Sequence, residues 1–334
     1  MGPPRLPKGV LVRPYPYSLL GLIVSTAVTV SSGFASPLNS KLLSLVPPGA
    51  EIVSGFENHP VGQPREHGRL LLATRNDRLD LDDWQALAGV DGKRVVDEVI
   101  EVAASSAGGR LTEHLLLVGG HFDGERIFKA AELNGAETTE YEGGTALLIK
   151  PFAREQREML DTRWLIILDD RIAMLGTELM VRKALQRYAT HADIDMPLME
   201  RLTQMRSDVT SWNVVVGSRI TEESLVFTQP NSMLTRLIES AEVLMVGTRF
   251  GPKIRVDFSL HVRNDHAKSL LTEKAASFAE VFAKEPSVSP GSAQQPQRPL
   301  GNLSFDPDRI HGSVELSAKE FDRWNEQGGF ARRL

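Results

Sequence analysis

Strand-like apolar runs joined by paired turn-forming residues restrict the fold of this chain more than any other feature. The stretch "TTEYEGGTALLIK" has Gly143-Gly144 between two such runs, and "RWLIILDDRIAML" turns at Asp169-Asp170. Glycine supplies the positive φ angles that a two-residue hairpin turn requires, and aspartate is a preferred turn residue. Both stretches predict β-hairpins, and hairpins imply antiparallel pairing.

A second pattern combines an apolar run, a polar break with a helix-capping residue, and an amphipathic run. In "VGGHFDG" the capping residue is Asp123, and after "RIAMLG" it is Thr177. After "KIRVDFSLHV" it is Asn264 or Asp265. Together with the hairpins, these joints predict an α+β fold, in which a mostly antiparallel sheet is covered by amphipathic helices.

Composition changes divide the 334-residue chain into segments. A first α+β half is expected over 46–192 and a second over 193–284, with the polar stretch "THADIDMP" at their boundary. Both halves contain helix, hairpin and strand-to-helix patterns, so the second could be a diverged repeat of the first. Residues 285–301 are rich in Pro, Ser, Gln and Gly, which is typical of a flexible linker, and a strand-helix tail is expected over 302–334.

The N-terminal 35 residues have the composition of an export signal. Three basic residues precede an apolar run at 18–30, and the small residues Gly33 and Ala35 follow it. The run is shorter than the roughly 20 residues that a stable membrane-spanning helix needs. The pattern therefore predicts cleavage after Ala35 and a periplasmic or extracellular protein, with an uncleaved inner-membrane anchor as the alternative.

Charge and cysteine content exclude several functional classes. The chain has 38 basic and 43 acidic residues, a formal net charge of −5, and no stripe of basic and aromatic residues, so no nucleic-acid partner is predicted. A membrane is expected as a partner only if the N-terminal segment stays attached. The absence of cysteine removes disulfides, cysteine nucleophiles and thiolate metal sites.

The stretch around His121 is the first place to look for chemistry. His121 and Asp123 lie two residues apart, with His114 upstream. Alternate side chains of a strand point to opposite faces, so two histidines seven apart diverge on a continuous strand. Asp123 has the character of a helix N-cap. We interpret the stretch as a structural joint and predict no metal and no cofactor, and His121, Asp123 and His114 remain the first residues to test for catalysis.

The remaining candidates have structural explanations. The acidic stretch "NDRLDLDD" lacks the glycine and the terminal glutamate of a calcium loop. Asp169-Asp170 and Glu222-Glu223 are paired carboxylates that fit a turn and a loop. His261 and His266 straddle a predicted strand-to-helix joint, and we interpret them as structural or surface residues. The local signatures of serine nucleophiles and phosphate loops are missing.

The C-terminal tail is the predicted site of partner contact. It combines aromatic and arginine side chains, which are favoured anchors at protein interfaces: Phe321, Trp324, Phe330, Arg332 and Arg333. The alternative is that the tail completes the sheet of its own chain.

Four stretches carry a resemblance. The order of "VPPGAEIVSG", "GGHFD", "EYEGGTALLI" and "LDDRIAMLGTELMVRKAL" resembles a group of uncharacterised exported bacterial α+β proteins, over about residues 46–190. The resemblance implies export and a fold, and it implies no reaction.

These observations predict an exported, non-catalytic binding or envelope-associated interaction protein of unknown ligand. One alternative is a secreted or periplasmic hydrolase whose site is built from residues distant in sequence. A second alternative is a membrane-tethered periplasmic protein.

Overall fold

The structure is a computed structural model of the chain, and it describes residues 41–57, 96–106, 111–133, 136–141, 144–149, 163–205, 208–217, 219–220, 240–262, 265, 268–269 and 302–317. These residues contain a 3₁₀ helix, Lys41–Leu45, and three α-helices, α1 (Gly124–Leu133), α2 (Glu178–Ala189) and α3 (Met196–Thr203). They also contain twelve strands: β1 (Ile52–Glu57), β2 (Val96–Ser105), β3 (Leu111–Gly120), β4 (Glu137–Tyr141), β5 (Gly144–Ile149), β6 (Arg163–Ile167), β7 (Ile172–Gly176), β8 (Ser211–Val216), β9 (Ala241–Arg249), β10 (Ile254–Val262), β11 (Asn302–Asp306) and β12 (Arg309–Leu316).

All twelve strands belong to one sheet. Their spatial order is β11-β12-β10-β9-β8-β1-β2-β3-β7-β6-β5-β4, and the neighbouring pairs are antiparallel. The strands predicted for the two halves therefore meet in a single sheet, joined where β1 pairs with both β2 and β8. Residues 302–316 of the predicted tail form β11 and β12 and extend the sheet beyond β10.

A polar clamp holds the start of β1 between its two neighbours. The Glu51 backbone N–H donates to the Ala103 carbonyl, 3.0 Å, and its carbonyl accepts from the Val216 N–H, 2.8 Å. Its carboxylate accepts hydrogen bonds from Ser105 Oγ, 2.8 Å, and from Arg219 Nε, 2.6 Å. The Arg219 guanidinium also contacts Ser105 Oγ and is only 6% exposed. One buried cation thus contacts the end of β2 and the residue just before β1, whose backbone bonds to the last residue of β8.

The front face of the sheet, on which Val53, Ile100, Met174, Trp212 and Met245 lie, packs against the 3₁₀ helix, α2 and α3. Helix α2 contributes apolar residues three to four positions apart, which form one helical face: Met180, Val181 and Ala184. The 3₁₀ helix adds three buried leucines to the same core. This core spans the sheet from β5 to β9.

The back face, on which Val99, Val118, Leu165 and Leu175 lie, packs against α1. Ile127 and Ala131 of α1 are fully buried there, four residues apart. Alternation of side chains along each strand separates the two faces.

The two predicted hairpins are confirmed. Strand β4 pairs with β5 and β6 pairs with β7, as the two hairpin patterns indicate. In the second turn, Asp169 Oδ1 accepts from the backbone N–H groups of Arg171, 2.7 Å, and Ile172, 2.8 Å. Such a local side-chain bond replaces part of the turn's backbone bonding, which explains the aspartate at that position.

The predicted α+β architecture, with helices covering the sheet, is wrong. The described residues are dominated by strands, with three α-helices divided between the two faces. Twelve strands about 4.8 Å apart make a sheet roughly 50 Å wide, whereas a helix with its side chains is roughly 10 Å across. The joints at Asp123 and Thr177 do begin helices, but the three α-helices within the described residues are too few to cover a sheet of this width.

Gly55 leaves room for a large aromatic side chain that lies over it. It is directly opposite Trp212 on the neighbouring strand, and a Cβ atom at Gly55 would overlap the Trp212 indole. The indole is only 4% exposed. We expect Gly55→Ala to lower the free energy of unfolding by about 1–3 kcal/mol through overpacking, as measured by urea denaturation. The control is Gly124→Ala, since a Cβ there would make only ordinary contact with Ile167, 3.8 Å. Equal stability of Gly55→Ala and the wild type would contradict this packing.

Arg219 provides a test of the clamp at β1. Arg219→Met keeps the aliphatic stem but removes the cation from the Glu51 carboxylate, which is 30% exposed. We expect a loss of about 1–3 kcal/mol in the free energy of unfolding, because charged hydrogen bonds to a largely buried group are lost. The matched control is Arg249→Met, which breaks the more exposed Arg249–Asp208 pair and should cost less than about 1 kcal/mol. Equal losses in the two variants would count against the clamp.

Candidate functional site

The structure assigns Asp123 to a structural role. Its Oδ1 accepts from the backbone N–H of Arg126, 3.1 Å, at the start of α1. This is the bond of a helix N-cap, so the interpretation as a strand-to-helix joint is confirmed at this residue.

His121 lies just after β3 and faces solvent. Its Nε2 is 3.0 Å from Arg171 Nη1 and 3.8 Å from Asp97 Oδ2, and the His121 side chain is 57% exposed. A guanidinium is always a donor, so the Arg171 contact uses the lone pair of Nε2. That contact occupies the lone pair of Nε2.

His114 is remote from the other two candidates. It lies within β3, opposite Ala103 of β2, whereas His121 follows the last residue of β3. At about 3.3 Å per residue, seven positions separate them by roughly 23 Å. Its neighbour Glu113 accepts a hydrogen bond from Thr177 Oγ1, 2.6 Å. The structure therefore does not bring His121, Asp123 and His114 together.

A different set of polar side chains lies together at the other end of the sheet. We call it the polar strip, and it occupies the front face of β10 and β12 with one residue of β11: Arg255, Asp257, Ser259, His261, Arg309, His311, Ser313, Glu315 and Asp306.

Strand register brings the strip together. Along β10, buried residues alternate with half-buried ones, and the half-buried positions carry its four polar side chains. Across to β12, Ser259 is opposite His311 and His261 is opposite Arg309. On the other side, Ser259 is opposite Met245 of β9, which belongs to the apolar core of the front face. The front face thus changes from apolar to polar between β9 and β10.

Ion pairs order the charged members of the strip. Arg255 and Asp257 form a two-pronged pair, with Nε–Oδ1 and Nη2–Oδ1 distances of 2.9 Å and an Nε–Oδ2 distance of 3.1 Å. Arg309 Nε donates to Asp306 Oδ2, 2.6 Å, and His311 Nε2 lies 3.2 Å from the same oxygen. Their side chains are between 23% and 39% exposed, so these groups are ordered but accessible to a ligand.

The electrostatic environment of the strip shifts the pKa of His261 and of Asp306. Burial lowers the pKa of His261, the nearby Arg309 charge lowers it further, and His311 adds a smaller effect in the same direction. The carboxylates of Asp308 and Glu242 partly offset this. For Asp306, the hydrogen bond from Arg309 is the largest of the effects that hold its pKa below the usual value. These directions favour a neutral His261 and an ionised Asp306 near neutral pH.

The sequence patterns did not predict the strip. His261 was interpreted as a structural or surface residue, and no role was predicted for His311, Ser259, Asp306 and Arg309. The period-two alternation of "RVDFSLH" was the available indication, because it places Arg255, Asp257, Ser259 and His261 on one face of a strand. The register with β12, about fifty residues later, could not be read from the sequence.

Several predicted features lie outside the described residues. They are the N-terminal segment 1–35, the acidic stretch "NDRLDLDD", the Glu222-Glu223 pair, His266, the linker 285–301 and the predicted partner-contact residues Phe321, Trp324, Phe330, Arg332 and Arg333.

Comparison with known proteins assigns no family. No protein-family model, no curated protein and no solved structure matches the chain. Within the described ranges, none of the helices is long and apolar enough to cross a membrane. In the same part of the chain, no three His, Asp or Glu residues are grouped so that they could hold a metal ion.

The lowered pKa of His261 predicts a pH effect on stability. Because the folded-state pKa is below the usual 6.5, the unfolded chain binds more protons between the two values. The resulting stability is therefore present above about pH 6.5 and is lost as the pH falls through the folded pKa. We expect His261→Gln to lose less stability than the wild type between pH 7 and pH 5, as measured by urea denaturation. This range stays above the titration of Asp306, whose pKa is lowered from 3.8.

His121→Gln is the control for this measurement, since it removes an imidazole that is more than half exposed. A His261→Gln profile parallel to the wild type would contradict the burial of His261.

Proposed function

We propose that this protein is an exported binding protein that holds a polypeptide partner against the polar strip. The observation that carries the proposal is the strip itself, a contiguous set of charged and hydroxyl side chains, half-buried except for the exposed Glu315, on a face that is apolar from β5 to β9. The proposal of export rests on the sequence of residues 1–35.

The charge pattern favours a polypeptide over a nucleic acid. The strip holds two arginines against three carboxylates, and opposite charges lie beside each other. Binding to a phosphate backbone is driven by clustered cations that release counterions, and the strip has no such excess. A polypeptide segment offers hydrogen-bond donors, acceptors and both charges within a short length, which matches this mixture.

The accessibility of the strip fits the same role. Glu315 is exposed and forms a long pair with Lys253, 3.4 Å, whose side chain is 72% exposed. Such a charge at the rim of an interface steers a partner and sets specificity more than it contributes to the stability of the fold. The predicted contact through Phe321, Trp324, Phe330, Arg332 and Arg333 stays a separate prediction.

A charge reversal at the strip tests this proposal. The full-length protein is isolated from its native cells by mild affinity capture, and bound chains are quantified by mass spectrometry. We expect a stoichiometric partner to be retained by the wild type and to bind Glu315→Arg at least tenfold more weakly. The matched control is Glu140→Arg, an equally drastic reversal at an exposed glutamate of β4, at the opposite end of the sheet.

Two results would reject the binding role. One is that no chain is retained by the wild type under these conditions. The other is that Glu315→Arg and Glu140→Arg lose the partner equally. Thermal denaturation of both variants verifies that they are folded. The intact mass of the captured protein tests export separately, because cleavage after Ala35 gives a chain that begins at Ser36.

A further inference from the structure

Ser259 and His261 form a contact within the polar strip that partner binding does not require. We propose that they are a nucleophile and its general base, which hydrolyse short-chain carboxylic esters. This inference goes beyond the binding role, and it rests on the geometry of this pair rather than on the existence of a partner.

The geometry is that of an activated serine. Ser259 and His261 are two apart on β10 and therefore share a face, and Ser259 Oγ lies 3.1 Å from His261 Nε2. With the proton on Nδ1, Nε2 accepts the hydrogen bond from the hydroxyl. A serine is a weak nucleophile unless a base lies within such a distance. Ser259 is paired with Met245 of β9 and with His311 of β12. His261 is the second-last residue of β10, and the register with β9 shifts just after it.

The surroundings keep His261 in the state that the reaction requires. Burial and Arg309 lower its pKa, so the imidazole is neutral and can accept a proton near pH 7. The carboxylates of Asp308 and Glu242 act in the opposite direction, and they stabilise the imidazolium that forms when the serine loses its proton. The charges of these carboxylates favour the imidazolium, as the acidic third group of serine hydrolases does.

Two cationic or hydrogen-bonding groups lie across from the pair on β12. His311 is directly opposite Ser259, and Arg309 is directly opposite His261. Directly opposed side chains have Cβ atoms about 4.5–5.5 Å apart. Arg309 is oriented by its bond to Asp306, 2.6 Å. A positive charge near the nucleophile stabilises the negative oxygen of a tetrahedral intermediate. Arg309 lies two residues along β12 from the position opposite Ser259.

The reaction proceeds in two balanced steps. In the first, Ser259 Oγ bonds to the carbonyl carbon of the ester while its proton moves to His261 Nε2. The tetrahedral intermediate then collapses, the bond to the alcohol oxygen breaks, and His261 returns the proton to the departing alcohol. In the second step, water attacks the acyl-serine with His261 as base, and the carboxylic acid leaves as Ser259 regains its proton.

The setting of the pair indicates a small and polar ester. Its neighbours on the strip are charged or hydroxyl side chains, and Ser304 of β11, beside the strip, is exposed. A long acyl chain would gain little by lying against such groups, because its favourable transfer out of water needs apolar surface. The recognised part of the substrate is therefore the ester carbonyl with a short acyl group.

The test uses the full-length protein with a fluorophosphonate probe and 4-nitrophenyl acetate. We expect the probe to label one serine, identified as Ser259 by peptide mass spectrometry, and ester hydrolysis to exceed the buffer rate. Ser259→Ala should abolish the labelling and return hydrolysis to the buffer rate. His261→Gln should slow both on the order of 100-fold or more. The rate should fall on the acidic side, with a midpoint below pH 6.5 in the wild type.

Ser304→Ala is the matched control. Ser304 is a serine opposite His311 on the side away from Ser259, so it tests whether any serine near a histidine of this sheet reacts. Its variant should keep labelling and hydrolysis at the wild-type level. The proposal is overturned if the wild type is neither labelled nor active, or if Ser259→Ala reacts like the wild type. Thermal denaturation verifies that each variant is folded, and a retained partner with no labelling would reject the chemistry while leaving the binding role intact.

Discussion

The sheet depends on the pairing of β1 with two strands that are far apart in the sequence. This six-residue strand is the connection between the five strands on one side and the six on the other. Glu51, at its start, bonds to β2 and β8 through its backbone, and its side chain binds Ser105 and the buried Arg219. Removing a cation from such a position leaves a carboxylate that is no longer compensated, which costs more than the pair contributes when intact. The polar strip is built on strands that this connection holds in place.

Register, rather than residue identity, creates the strip. On β10 the alternate residues Ile254, Val256, Phe258, Leu260 and Val262 are all buried, while the residues between them are half-buried. A slip of one residue would exchange the two faces and bury the ion pairs in place of the apolar side chains. Burial of the apolar residues on the back face therefore places the alternate polar residues on the front face. The position of Ser259 opposite His311 follows from packing on the other side of the sheet.

The sequence predicted the features that depend on residues close together along the chain, and it did not predict those that depend on residues far apart. Asp123 and Asp169 were identified correctly, because a cap or a turn involves bonds to residues only two or three positions away. The prediction that helices cover the sheet was wrong, because it depended on the width of the sheet. That width is set by the number of strands that pair over long distances in the sequence. The contact between Ser259 and His261 is local and was accessible through strand alternation. The position of the β12 side chains opposite this contact could not be predicted, because strands that pair about fifty residues apart leave no short-range pattern in the sequence.

The two proposed roles of the strip can be separated by their positions along β10 and β12. Glu315 is opposite Arg255, and Arg255 is four residues from Ser259, which is roughly 13 Å along the strand. The ion pair between Arg255 and Asp257 lies between them, and its two-pronged geometry holds both charges in place. An ordered ion pair therefore separates Glu315 from the proposed nucleophile Ser259, so a charge reversal at Glu315 should not disturb Ser259. A partner that spans the strip would cover Ser259, so bound partner and free ester should compete for this face even though the residues that recognise each are different.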